Sequence, residues 1–228
     1  MPGLENAVSS TGVSTARSAE LRPAFAAFAW RVLSLHMLTY FLIGLVAFLV
    51  FDYRRVFETT ELRHLMRPTT SPWVAAGPAL QIFRGILFAV ILYPLAAYIL
   101  SRKDSVLLLW SLFIGFAILG TAGPSPGSLE GILYTRLPIS LHLVGLPEVV
   151  LQTLLFSAGL VLWCRKPARW KNVASGIGVA SVCLMSVAGF LAARSAKRTE
   201  ESPCAVYEPP RRLREAPHGV MQRTDGHE

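Results

Sequence analysis

Five long apolar runs constrain this chain more than any other feature of its sequence. Hydrophobic residues make up 53% of the 228 residues and charged residues only 16%, against roughly 25% charged in soluble domains. Each run is long enough to cross, or nearly cross, a bilayer core of about 30 Å as a helix that rises about 1.5 Å per residue. The chain is therefore predicted to be all-α, a polytopic transmembrane helix bundle with five spanning helices at residues 28–51, 74–100, 106–122, 138–164 and 173–193.

The segments outside these runs have a different composition. Residues 1–27 are rich in serine, threonine, alanine and glycine, and residues 194–228 combine scattered charge with proline. Such segments bury too little apolar surface to fold alone, so we expect a flexible N-terminal tail and a disordered C-terminal tail around a membrane domain at 28–193. Between the first two runs, Val56 and Leu62 belong to an apolar pattern interleaved with charges, which predicts a short helix lying in the membrane interface.

The net charge of +8 comes from basic segments beside the apolar runs, such as residues 165–171. Such clusters typically mark topology and contact lipid headgroups. Membrane lipids are the expected partners, with a homo-oligomer or a membrane partner subunit as an alternative, and no nucleic acid is expected. The Lys and Arg count is eight on each side of the membrane. Almost purely basic loops on the N-terminal side, here called side A, favour a cytoplasmic N-terminus in a bacterial-type plasma membrane.

No motif in the sequence predicts a metal or cofactor site. The three cysteines form no CxxC pair, and the chain contains no HExxH, no phosphate-binding loop and no dinucleotide-binding glycine pattern. These spacings are what zinc sites and the common soluble active sites require. We therefore expect no metal and no cofactor.

Arg84 and Glu148 are charged residues deep within the second and fourth apolar runs. Arg84 is ten residues after Val74, and Glu148 is ten residues after Pro138; both runs enter from the side opposite the N-terminus, here called side B. If both helices are continuous, both charges lie roughly 15 Å deep, where an unpaired charge costs at least about 2.5–3.5 kcal/mol. This predicts that Arg84 and Glu148 pair inside the bundle.

Pro147 supports a competing interpretation of the fourth run. Proline lacks a backbone N–H and kinks or breaks a helix. A helix that restarts at Pro147 would place Glu148 in its first turn, where the helix dipole favours an acid. Glu148 would then be shallow and structural, and the sequence leaves both alternatives open.

Further polar residues surround the two charges. Gln81 shares a helix face with Arg84, and Gln152 lies one turn beyond Glu148. The predicted polar intramembrane cluster therefore contains Arg84, Glu148, Gln81, Gln152 and His142.

Three residues, one in the fourth run and two in the segment before it, have two interpretations each. His142 is either a histidine satisfied by hydrogen bonds in a helix contact or a proton donor or acceptor near Glu148. Glu130 and Arg136 either line a vestibule above the cluster or are solvated loop charges.

These features predict a small-molecule or lipid binding or transport component, or an accessory subunit, with its polar cluster around Arg84 and Glu148. In the binding interpretation, Arg84 attracts an anionic headgroup or a small anion. The alternative is a membrane-embedded enzyme that acts on a lipid or an isoprenoid, with Glu148 and His142 as acid and base. Because only Glu148 supplies an acid within the fourth run, the non-enzymatic interpretations are favoured.

Overall fold

The computed structural model describes residues 23–59, 61–119 and 125–200, and these residues form helices and turns without a strand. In chain order the helices are α1 (Phe25–Val50), α2 (Tyr53–Phe57), α3 (Pro72–Leu92), a 3₁₀ turn (Tyr93–Leu95), α4 (Ala96–Ser101), α5 (Ser105–Leu119), α6 (Leu129–Tyr134), α7 (Ile139–Val144), α8 (Leu146–Arg165) and α9 (Arg169–Glu200). The prediction of an all-α helical bundle is confirmed.

Within the described residues, four helical stretches are long and apolar enough to span a membrane: Phe25–Val50, Pro72–Ser101, Ile139–Arg165 and Arg169–Thr199. Each coincides with one of the predicted runs. The remaining run forms α5, an apolar helix of 15 residues, and residues 120–124, which the prediction included in part, lie outside the described residues.

The long helices alternate in direction, as residue contacts at their ends show. Phe25 at the start of α1 contacts Tyr93 at the end of α3, with ring centroids 5.0 Å apart. Trp73 at the start of α3 likewise contacts Phe190 near the end of α9, at 6.2 Å. The start of α8 lies against the end of α1, where a glutamate oxygen approaches Gly44. The two ends of the bundle correspond to sides A and B.

Helix α1 is the centre of the bundle, because α3, α8 and α9 all pack against it. Each of these three helices presents a glycine to a leucine of α1, and small residues at such contacts let helix backbones approach closely. A Cβ atom on Gly85, Gly159 or Gly178 would lie 2.9, 3.0 or 2.9 Å from an atom of Leu33, Leu35 or Leu38, respectively.

An aromatic cluster joins the helices on the other flank of α3. The Phe88 ring lies 5.4 Å from Phe113 of α5 and 6.4 Å from Phe156 of α8, and the last two rings are 5.3 Å apart. Phe156 is buried in the apolar core that continues toward side A. This flank of α3 therefore faces α5 and α8.

The fourth predicted run is interrupted. Helix α7 ends at Val144, and α8 begins at Leu146 with Pro147 in its first two positions and Glu148 in its first turn. The structure thus has the break that proline favours, with Glu148 in the first turn of α8, but Gly145 alone separates the two helices and Ile139–Arg165 remains one helical stretch long enough to span a membrane.

Helix boundaries also differ at two places outside the apolar runs. The predicted interfacial helix is only five residues long, and the chain after it forms turns around the buried side chain of Leu62. Helix α9 continues through residues 194–200, which the sequence had assigned to the tail, whereas residues 1–22 and 201–228 lie outside the described residues.

Replacing Gly85 with alanine is expected to destabilise the protein. The new Cβ would lie 2.9 Å from the Leu33 backbone, and overpacking of this kind costs about 1–3 kcal/mol. Thermal unfolding in detergent measures the effect. Gly77→Ala on the same helix is the matched control, since nothing lies within 4 Å of its added Cβ; alanine there should be neutral or stabilise by up to about 1 kcal/mol. Equal melting temperatures for the two variants would contradict the close contact.

Candidate functional site

Glu148 lies half-buried at the side B end of the bundle and accepts a hydrogen bond from a tyrosine. The Tyr53 hydroxyl donates to Glu148 Oε2 at 2.5 Å, and the other carboxylate oxygen lies 3.6 Å from the position that a Cβ on Gly44 would take. Burial, and then the neighbouring carboxylate, raise the pKa of Tyr53 above its usual value. The carboxylate thus has a hydrogen-bond donor as well as the favourable end of the α8 dipole.

A tight turn brings Tyr53 to this position. Asp52 adopts the left-handed conformation with φ 46°, a region that non-glycine residues rarely visit except aspartate and asparagine. The turn reverses the chain after α1, and the Tyr53 ring stacks between Phe51 and Phe57 at 6.2 and 5.6 Å. Helix α2 is therefore folded back against the bundle, with its tyrosine facing α8.

Arg84 is exposed on the flank of α3 that faces α5 and α8. Its guanidinium carbon lies 5.5 Å from the centre of the Phe88 ring, within the range of a cation–π interaction. Among the described residues, Asp52 forms an ion pair with Arg55, and Asp104 forms one with Arg102. No ion pair joins Arg84 to Glu148. The direct Arg84–Glu148 pair predicted from depth is therefore not formed, because the break before α8 leaves Glu148 beside Tyr53.

Residues of α1 contact the neighbours of both charges. Buried His36 shares a hydrogen bond of 3.1 Å between its Nε2 atom and Gln81 Oε1, one turn before Arg84. The Tyr40 ring lies 6.3 Å from the His36 ring on the same face of α1, and Gly44, one turn further, is approached by Glu148. Helix α1 is therefore the element that contacts both the Arg84 region of α3 and the start of α8.

The cluster predicted from the sequence did not include Tyr40, Tyr53 or His36. His36 and Tyr40 are four residues apart on α1, a spacing that places two side chains on one helix face. That spacing was a usable signal. Nothing in the sequence indicated that Tyr53 returns to α8, since this depends on the Asp52 backbone.

His142 is buried within the connection that precedes α8. Its Nδ1 accepts a hydrogen bond from the Gly127 N–H at 3.1 Å, and Nε2 lies 3.3 Å from Thr135 Oγ1. The threonine hydroxyl donates its own proton to the Gly131 carbonyl at 2.7 Å, so the hydrogen-bond network assigns the imidazole proton to Nε2. Both ring nitrogens are occupied, as in the interpretation of His142 as a satisfied structural histidine.

The other predicted site residues lie apart from these contacts. Gln152 is half-buried one turn beyond Glu148, without a hydrogen-bond partner among the described residues. Glu130 is half-buried in the first turn of α6, and Arg136 is exposed after it. Within the described part of the chain, no hydrogen bond or ion pair joins either to the cluster, and their role as a vestibule stays a prediction.

The hydrogen bond between Tyr53 and Glu148 is expected to stabilise the fold. Tyr53→Phe and Glu148→Gln should each lower the free energy of unfolding by about 1.5–3 kcal/mol, the usual range for a hydrogen bond to a charged group. Their double mutant should lose clearly less than the sum. Thermal unfolding in detergent tests this, with Tyr134→Phe as the control because that side chain is 76% exposed. Purely additive losses would show that the two side chains do not interact.

Among the described residues no group of three or more His, Cys, Asp or Glu side chains is arranged to hold a metal ion. Comparison of the chain with protein-family models, with curated proteins and with solved structures gives no significant match. The cluster is therefore interpreted from its geometry and chemistry alone.

Proposed function

We propose that this chain is a multi-pass integral membrane protein that binds an amphipathic ligand, with the anionic group of the ligand at Arg84. The observation that supports the proposal is that Arg84 is exposed and has no acidic partner among the described residues. It is an exposed guanidinium on a helix long and apolar enough to span a membrane, and no carboxylate of the described residues pairs with it.

The depth of Arg84 makes this arrangement costly without a ligand. Residue 84 is twelve positions after Pro72, which corresponds to about 18 Å along the helix axis. An unpaired charge near the middle of a bilayer costs at least about 2.5–3.5 kcal/mol. An anionic group beside Arg84 would offset this cost through charge-assisted hydrogen bonds, which are roughly twice as strong as neutral ones.

The surface around Arg84 matches an amphipathic molecule rather than a simple ion. Leu87 and Ile91 follow Arg84 along the same helix flank and are 61% and 63% exposed. Phe88 lies beneath the guanidinium. Residues three and seven positions along a helix share one side, so an acyl or isoprenoid chain would lie over this apolar strip while its anionic end meets Arg84.

The catalytic alternative has less support. It requires Glu148 and His142 to exchange protons with a lipid or isoprenoid, yet both nitrogens of His142 are occupied by Gly127 and Thr135. Glu148 is also engaged by Tyr53. A binding role needs no free acid–base pair, because Arg84 alone would contact the anionic group of the ligand.

The proposal also covers the membrane in which the chain resides and its orientation there. The chain would reside in a bacterial-type plasma membrane with its N-terminus in the cytoplasm, as the basic loops of side A favour. A second copy or a partner subunit with an acidic residue in its own span would satisfy Arg84 by the same electrostatics, so the test has to distinguish a partner from a small ligand.

Co-purification tests the proposal. Wild type, Arg84→Gln and Arg136→Gln would be purified in mild detergent, and bound molecules identified by native mass spectrometry. We expect an anionic amphiphile on wild type and on Arg136→Gln, whose arginine is exposed outside the cluster. Its occupancy should fall at least about tenfold in Arg84→Gln, equivalent to about 1.4 kcal/mol.

Two results would contradict the proposal. One is equal occupancy in wild type and Arg84→Gln. The other is a wild-type protein that carries no amphiphile but forms a complex that Arg84→Gln dissolves, which would assign Arg84 to a protein partner.

A further inference from the structure

We propose that a second site, a cavity at the side A end of the bundle, binds a phosphate group. The cavity has a volume of about 150 Å³ and lies where α1, α8 and α9 meet. Its walls come from Arg31 of α1, Trp163 of α8, Pro167 and Ala168 of the connection, and Arg169 and Asn172 of α9. It lies at the opposite end of α8 from Glu148 and does not depend on a ligand at Arg84.

The polar groups around this cavity are predominantly hydrogen-bond donors. Arg31 and Arg169 contribute two guanidinium groups, and no carboxylate lines the cavity. In the described part of the chain neither arginine forms an ion pair with an acid. Two uncompensated guanidinium groups at one cavity favour an anion.

Trp163 forms one wall of the cavity. The residue is only 6% exposed, and its indole Nε1, which has no hydrogen-bond partner among the described residues, is itself shielded from the cavity. The side-chain donors around the cavity are therefore those of Arg31, Arg169 and Asn172, which a ligand rich in acceptor oxygens would complement.

Neighbouring basic residues are already committed to the protein itself. Arg165 donates to the backbone carbonyl of Arg102 and to Ser105 Oγ, the latter at 2.7 Å. Lys171 donates to the Lys166 carbonyl at 3.0 Å. Arg31 and Arg169 line the cavity, whereas Arg165 and Lys171 direct their donors to the protein.

A phosphate group fits this arrangement better than a smaller anion. Its oxygens accept paired hydrogen bonds from guanidinium groups, for which arginine has the matching planar geometry. Exposed Trp170 beside the cavity is typical of a side chain at the membrane interface, and basic pockets between spanning helices at that level bind anionic lipid headgroups. The phosphate could come from such a headgroup or from a soluble phosphate compound.

The test uses the full chain in nanodiscs and two probes: inorganic phosphate, and phosphatidylglycerol mixed into phosphatidylcholine. Thermal stability would be titrated against each probe for wild type, Arg31→Gln, Arg169→Gln and Lys103→Gln. Lys103→Gln is the matched control, since it removes an exposed basic residue on side A that does not line the cavity. Sodium chloride at equal ionic strength controls for screening.

We expect wild type and Lys103→Gln to be stabilised, and both arginine variants to need at least about tenfold more probe for the same shift. Stabilisation by inorganic phosphate would indicate a site open to soluble phosphates, and stabilisation by phosphatidylglycerol alone would indicate a headgroup site. If Arg31→Gln does not fold, Arg169→Gln decides the comparison. No stabilisation of wild type by either probe, or equal stabilisation of all four proteins, would overturn the proposal.

Discussion

Close packing against α1 is the constraint on which the rest of this structure depends. Within lipid there is little hydrophobic drive for one helix to join another, so association relies on van der Waals contact between closely approaching helices. Gly85, Gly159 and Gly178 make that approach possible for α3, α8 and α9. The same packing brings His36 of α1 to Gln81 of α3 and Gly44 of α1 to Glu148 of α8.

The two charges of the cluster are stabilised in different ways. Glu148 has the start of α8, the Tyr53 hydroxyl and a partly exposed position at side B. Arg84 has an aromatic ring, but no carboxylate of the described residues. This asymmetry is the physical basis of the proposed function, since it leaves a cation within an apolar span whose cost an external anionic group can offset.

Much of the architecture could be predicted because the relevant signals are local. An apolar run of about 20 residues has few alternatives to a spanning helix, and the runs near 28–51, 74–100, 138–164 and 173–193 all became long helices. The break before α8 was also a local signal, carried by Pro147. The choice between a kink and a restart was not, because it depends on how the preceding connection folds around His142.

The contacts of the cluster were harder to predict because they depend on tertiary geometry. The depth argument for Arg84 and Glu148 assumed two continuous helices, whereas the break at Gly145 places Glu148 in the first turn of α8. The partner that Glu148 does have, Tyr53, reaches it through the left-handed turn at Asp52. A turn of that kind shifts a side chain by several ångströms without leaving a distinct periodic pattern in the sequence.

A double-mutant cycle between Arg84 and Glu148 tests most directly the central claim, that Arg84 pairs with no acid of the described residues. Arg84→Ala, Glu148→Ala and the double mutant would be compared by thermal unfolding in detergent after exhaustive delipidation. The losses should add to within about 0.5 kcal/mol, as expected for side chains that share no contact. The two charges would be shown to pair if the double mutant lost less free energy of unfolding than the two single mutants together, by more than about 1 kcal/mol. That result would remove the reason to expect a ligand at Arg84.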